Sequence, residues 1–201
     1  MTAVLFDMFG VIARQQSPAS RARLAQTAQV PAEAFWDAYW SLRHPYDRGD
    51  QLGPEYWAKV AARLGTRFDE QRTGELIAAD VHSWSELDQE MVEFVSALSR
   101  GGVRTGLLSN IPEELAAHYE QQHTWLEHFS VLAFSCRIGH AKPEPGAYLW
   151  CAEHFQLPPG GILFVDDRED NVRAAEALGM RVHLFTSRDK LRQALTRAGI
   201  R

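Results

Sequence analysis

The chain has 201 residues, 45% of them hydrophobic, and a formal net charge of −5. That length fits one domain, or one domain carrying a moderate insertion, and the apolar content excludes wholesale disorder. The mild acidity argues against a general nucleic-acid binder, which needs a basic face, but leaves anionic substrates open because a local field or a bound cation outweighs net charge.

The first apolar segment, Ala3-Val4-Leu5-Phe6, ends at Asp7 and is followed by Gly10, which reads as a buried strand running into a loop. From residue 17 to about residue 80 the pattern is helical throughout. Helices are expected at 17–28, 31–42, 54–64 and 68–79, with a loop marked by Gly49 and Gly53 between the second and third. This all-helical insertion after the first strand reads as a cap over the carboxyl edge of a sheet. It divides the chain into a core of residues 1–15 and 84–201 and a cap of residues 16–83. Beyond it, helical spacing over 85–100, 112–121, 145–155, 169–178 and 189–198 alternates with strands at 103–108, 131–135, 162–165 and 182–185. Strands alternating with helices predict an α/β fold, a Rossmann-like parallel sheet with helices on both faces.

Cys136 and Cys151 form no CxxC pair and read as two buried thiols of a reducing cytosol, pointing to a cytoplasmic protein. The apolar run over residues 3–13 is broken by Asp7 and lacks a preceding basic flank, so no signal peptide is expected. No stretch is long enough to span a bilayer, and no membrane partner is expected. Monomer and homodimer are both compatible with the sequence.

In open α/β sheets, ligands bind outside the carboxyl ends of the strands. Three such ends carry polar groups here: Asp7, Ser109-Asn110 and Asp166-Asp167. Lys142 lies in the turn-rich segment His140-Ala141-Lys142-Pro143-Glu144-Pro145. The residue types suit one reaction. Asp7 can attack phosphorus or carbon and form a covalent intermediate. Asp7 and Asp167 can hold a hard cation such as Mg²⁺ through oxygen. Ser109 offers a hydroxyl and Asn110 an amide to a transferring phosphoryl group. Lys142 supplies positive charge where the transition state spreads negative charge, and opposes the repulsion of Asp166 and Asp167 on Asp7.

These residues resemble the haloacid dehalogenase-like hydrolases, a superfamily of mostly phosphatases. Leu5-Phe6-Asp7-Met8-Phe9-Gly10-Val11 is similar to the family's first motif, which carries the nucleophile. Leu107-Leu108-Ser109-Asn110 is similar to the second, Lys142-Pro143-Glu144-Pro145 to the third, and Phe164-Val165-Asp166-Asp167-Arg168-Glu169-Asp170-Asn171-Val172 to the fourth. The resemblance covers essentially the whole chain. It implies strand order 5-4-1-2-3, a helical cap after strand 1, and a Mg²⁺-dependent phosphatase acting on a small phosphorylated metabolite through an aspartyl-phosphate on Asp7. It also implies a metal site made of Asp7, the backbone carbonyl of Phe9, Asp167 and Asp166.

One position departs from the pattern. Most family phosphatases carry a second Asp two residues after the nucleophile, which protonates the leaving group; here it is Phe9. Loss of general acid help costs roughly 10²–10⁴-fold, so substrates with better leaving groups, such as sugar 1-phosphates or acyl phosphates, are expected to suffer least. An aromatic at this position also resembles the true 2-haloacid dehalogenases, which displace halide without a metal. Those enzymes carry Ser-Asn in motif four, whereas Asp166-Asp167 looks more like a phosphatase branch that includes bacterial glucose-1-phosphate phosphatases and the N-terminal domain of soluble epoxide hydrolases. A third reading is a binding module that kept the fold and lost turnover.

Specificity is expected from the cap, around Tyr46, Asp47, Arg48 and Gly49. Arg48 would contact a phosphate or sugar and Tyr46 would stack on a ring, the alternative being an ordinary inter-helix turn with an ion pair. Phe9 and Asn110 are expected beside them as substrate contacts. Trp36 and Trp40, with Trp57 and Phe35, read as cap core. Asn171 either positions Asp167 or a metal-bound water, or caps a helix. Asp166 contacts Lys142 or a metal-bound water, or supplies a second carboxylate to the metal. The sequence leaves these roles open.

Overall fold

The computed structural model describes residues 2–200. Five parallel strands form one sheet: β1 (Ala3–Phe6), β2 (Arg104–Ser109), β3 (Val131–Phe134), β4 (Ile162–Asp166) and β5 (Arg181–Leu184). Their order is β3-β2-β1-β4-β5, the expected order read from the other edge. Phe6 pairs with Leu107 on one side and Val165 on the other. Asp7 therefore leaves the central strand level with the carboxyl ends of both neighbours.

Both faces of β1 are buried, as a central parallel strand requires. Val4 and Phe6 join Leu107 and Val165 in one apolar layer, while Ala3 and Leu5 join Leu108 and Phe164 in the other. The cap helices come next in the chain: α1 (Pro18–Ala28), α2 (Ala32–Ser41), α3 (Arg43–Arg48), α4 (Gly53–Arg63) and α5 (Glu70–Ser83). They are followed by α6 (Gln89–Arg100), α7 (Glu113–Gln122), α8 (Ser135–Ile138), α9 (Pro145–Phe155), α10 (Glu169–Ala177) and α11 (Arg188–Arg197). The first layer is covered by Met91 and Val95 of α6, Leu115 and Tyr119 of α7, and Leu191 and Leu195 of α11. The second is covered by Tyr148 and Phe155 of α9 and Ala175 of α10.

Helices α1–α5 have an apolar core of their own, built from Leu24, Phe35, Tyr39, Tyr46, Tyr56, Trp57, Val60 and Leu76. Ser17 caps α1 by accepting from the Ser20 amide at 3.1 Å, and Asp69 caps α5 by accepting from Arg72 at 2.8 Å. Each such cap is worth about 1 kcal/mol. The two linkers into this bundle run side by side. Ala13 bridges Leu87, the Arg14 amide donates to the Glu86 carbonyl, and the Asp88 amide donates to Ile12.

Two elements differ from expectation. The expected loop after α2 contains helix α3. Pro45 sits in its first turn, where the backbone N–H would lack an intrahelical partner anyway, so proline is tolerated there. Ser135, read as the last residue of β3, instead opens α8, a single turn too short to carry a helical period.

Candidate active site at the carboxyl edge

Asp7 is buried at the end of β1, with its amide donating to the Val165 carbonyl at 2.8 Å. Its Oδ1 accepts from the Met8 amide and lies 2.6 Å from Lys142 Nζ. No described residue hydrogen-bonds its Oδ2. Lys142 is also buried, and its ammonium bridges Asp7 and Asp166, the latter at 2.8 Å. The loop holding it is fixed by Asn110, whose amide accepts from the Lys142 N–H and donates to the Lys142 carbonyl, both at 2.7 Å.

The two neighbouring aspartates occupy different settings. Asp166 accepts from Lys142 Nζ, from the Arg168 amide at 2.8 Å, and from Asn171 Nδ2 at 3.1 and 3.0 Å. Both of its oxygens are occupied. Asp167 has a buried Oδ1 with no partner, and its Oδ2 accepts from Gln15 Nε2 at 3.2 Å. That same Gln15 nitrogen lies 3.4 Å from the Phe9 carbonyl. Gly10 makes this approach possible: at φ +89, a Cβ would fall 2.0 Å from Asp167 Oδ2.

Oxygens of Asp7, Asp166 and Asp167 can all lie within 4.8 Å of one another. Three carboxylates face one ammonium, so the cluster carries formal charge −2. Burial pushes the Asp7 carboxyl up to about 7; the Lys142 ammonium opposes this, and Asp166 and Asp167 reinforce it. Burial also raises Asp167, with Asp166 adding to it. Such a cluster fits a divalent cation through its oxygen donors, its charge and the unpartnered Asp167 Oδ1. Ser109, fully buried at the end of β2, has a hydroxyl with no partner.

A cavity of about 310 Å³ opens over this cluster. The sheet side supplies Asp7, Phe9, Asn110, Lys142, Arg168 and Asn171. Across from it stand Trp40 of α2, Arg43, His44 and Asp47 of α3, and Trp84, with Gln15 at the linker. Of the expected residues, Asp7, Phe9, Asn110 and Lys142 of the core and Asp47 of the cap line this cavity, and Tyr46 and Arg48 do not. Tyr46 is 2% exposed and does not line the cavity. Its ring stacks on Tyr56 at 4.3 Å, and its hydroxyl donates to Glu114 of α7. Arg48 points elsewhere, bound to Asp50 and to Glu144. Both readings are corrected by the register of α3, which turns Arg43, His44 and Asp47 to the cavity and Tyr46 to the cap core.

Trp40 is a third correction: it is 47% exposed and lines the cavity instead of filling the cap. Phe35 and Trp57 are fully buried in the cap core, as expected. Gln15, Arg43, His44 and Trp84 were not anticipated. The i, i+4 placement of Tyr39 and Arg43 was the signal for Arg43, whose guanidinium lies within hydrogen-bonding reach of Tyr39, Asp47 and Asp80.

A profile described as haloacid dehalogenase-like hydrolase matches residues 1–179. Phosphoglycolate phosphatase 1 of Pseudomonas aeruginosa is 30% identical over 108 residues, covering 54% of this chain and 40% of that protein. Bifunctional epoxide hydrolase 2 of Sus scrofa is 24% identical over 94% of this chain and 37% of its own length. The chain thus spans about half or less of these curated relatives. Among solved structures, a family enzyme of Bacteroides thetaiotaomicron, in complex with magnesium and inorganic phosphate, superposes with TM-score 0.76 at 18% identity, covering 95% of this chain and 98% of that one. The L-2-haloacid dehalogenase RSc1362 superposes with TM-score 0.68 at 20% identity, over 90% and 85%. With four motifs gathered at one sheet edge and a match over residues 1–179, the chain belongs to the haloacid dehalogenase-like hydrolase family.

Proposed function

We propose that the protein is a Mg²⁺-dependent phosphatase of small phosphorylated metabolites, with Asp7 as nucleophile and residues 16–83 as its cap. The observation that carries this reading is Asp167: a half-buried carboxylate whose buried Oδ1 has no partner, in one cluster with Asp7 and linked through Gln15 to the Phe9 carbonyl. Those three groups would hold the cation. Bound there, it supplies positive charge against phosphoryl oxygens and the carboxylate cluster. Asp166 belongs to the support of Lys142 in this reading, because its oxygens are already taken.

Asp7 Oδ2 attacks phosphorus, its Oδ1 being held by Met8 and Lys142. Lys142 stabilises the charge that spreads over the transferring group. The free hydroxyl of Ser109 donates to a phosphoryl oxygen, and Asn110 keeps the Lys142 loop in register. The complex of the Bacteroides enzyme with magnesium and inorganic phosphate, and the similarity to phosphoglycolate phosphatase 1 of Pseudomonas aeruginosa, support the same reading. A cytoplasmic location accords with it, and among the described residues no helix is long and apolar enough to cross a membrane.

The test is phosphate release with and without Mg²⁺, beside halide release from 2-chloropropionate. Phosphate release that needs Mg²⁺ and is lost in Asp7→Asn supports the proposal. Phe9 is the observation favouring a dehalogenase, and metal-independent halide release would establish that second reading instead. Ligand binding with neither activity would point to a binding module.

A further inference from the structure

One part of the cavity lining is aromatic. The Phe9 ring lies 5.0 Å from Trp84, and Trp84 lies 6.2 Å from Trp40. All three rings line the cavity. Trp84 is held in place, its indole donating to the Tyr39 hydroxyl at 3.1 Å and its carbonyl accepting from Tyr119 at 2.6 Å. Trp40 is left 47% exposed with its ring at the cavity. The polar groups opposite are largely occupied. Arg43 is used by Asp47, Tyr39 and Asp80, and the side-chain oxygen and nitrogen of Asn110 by the Lys142 backbone. His44, Gln15 and Arg168 remain for polar contacts, while Phe9, Trp84 and Trp40 offer a flat ring aromatic surface to pack on.

Phe9 bears on the same question from the chemical side. Its ring carries no acidic proton, and the Lys142 ammonium beside Asp7 is already shared between the Asp7 and Asp166 carboxylates. A leaving group must then depart as its anion. A phenolic oxygen, with a pKa near 10, does so far more readily than an alkoxide.

We propose that the substrate class is an aryl phosphate, a phosphate carried on the hydroxyl of an aromatic ring, with Phe9, Trp84 and Trp40 as the platform for that ring. This rests on the phosphatase reading and adds its specificity. Asp7 Oδ2 forms a bond to phosphorus as the bond from phosphorus to the ring oxygen breaks. The electron pair leaves with the aryloxide, which takes a proton from water once outside. Water then adds to phosphorus, the bond to Oδ2 breaks, and the proton from water passes to a phosphoryl oxygen of the released phosphate.

The experiment compares four substrates in Mg²⁺: phenyl phosphate, benzyl phosphate, acetyl phosphate and ethyl phosphate. They separate the ring from the acidity of the leaving group. Phenyl phosphate is expected to exceed benzyl phosphate by roughly 100-fold or more in kcat/KM, the scale of lost acid catalysis. Trp40→Ala is expected to raise KM for phenyl phosphate and lower the phenyl-to-acetyl ratio of kcat/KM roughly three- to tenfold, with Trp40→Phe restoring most of it. Equal turnover of benzyl and phenyl phosphate overturns the inference, as does a phenyl-to-acetyl ratio that Trp40→Ala leaves unmoved. In either case, phosphate release from acetyl phosphate leaves the phosphatase reading intact. Release from none of the four removes both.

Discussion

Replacing Gly10 by alanine separates the metal site from the stability of the fold. The residue sits at φ +89, and an alanine in the left-handed region costs about 1–2 kcal/mol. That strain alone is unremarkable. The added methyl would also fall 2.0 Å from Asp167 Oδ2 and 2.9 Å from Gln15 Nε2, so the Asp167 carboxylate has to leave its present position. If Asp167 is the second carboxylate ligand, Mg²⁺ affinity should fall by at least the 10–100-fold that losing even an outer-shell partner costs. Gly65→Ala is the control. Its φ is +68 and nothing lies within 4 Å of its Cβ position, so it carries the conformational cost without the collision. Urea unfolding should show both variants destabilised, Gly10→Ala by the larger amount because of the collision. Calorimetric Mg²⁺ titration of the substrate-free protein should show weakened binding only in Gly10→Ala. If Gly10→Ala is destabilised yet binds Mg²⁺ like the wild type, Asp167 is not a ligand and the assignment is wrong.

Other perturbations follow from the same geometry. Asp80→Ala removes one carboxylate from a buried Arg43 ion pair at 2.7 Å and should lower stability by about 3–5 kcal/mol, read from the urea midpoint. Glu114→Ala strips partners from the Tyr46 hydroxyl and the Gly53 amide, at 2.9 and 2.7 Å; leaving such groups unpaired should cost about 1–3 kcal/mol in the same assay. Asn110→Ala frees the Lys142 loop and should reduce kcat by roughly tenfold or more, about 1.4 kcal/mol, with a smaller change in KM; an unchanged kcat would show that the loop holds itself. Phe9→Asp should narrow the gap between phenyl and benzyl phosphate, measured as the ratio of their kcat/KM values.

The sheet and its nucleophile were legible because short, continuous apolar runs ending in acids have few other structural meanings. The order of strands came from the resemblance, since no local feature of β3 or β5 specifies a neighbour. What the sequence did not resolve is which of two adjacent aspartates keeps an unpartnered oxygen. Asp166 and Asp167 differ only in what the chain folds around them: a lysine, an asparagine and a backbone amide on one, Gln15 and a glycine on the other. Lys142 and Gln15 lie far away in sequence, and the local partners Arg168 and Asn171 choose between the two aspartates only once the chain has turned into α10. The cap contacts failed for a related reason. With α3 read as a loop, the helical phase separating Asp47 from Tyr46 was invisible, so the aromatic residue looked available when it was already committed to packing against Tyr56.

Helix α3 has a consequence for how this protein can change. Six residues serve two masters: one side furnishes Arg43, His44 and Asp47 to the cavity, while the other seats the lid, through Tyr46 on Glu114, Arg48 on Glu144 and the Asp47 carbonyl on Ser135. Just past its end, Gly49 passes so close to the Cys136 carbonyl that a Cβ there would lie 2.3 Å away. A substitution that retunes the cavity from α3 therefore also disturbs the seating. Trp40, on α2 and half exposed, makes none of these seating hydrogen bonds, its ring packing on Tyr39 and Trp84. It is the position from which new substrate preferences can be explored without reopening the question of how the lid closes.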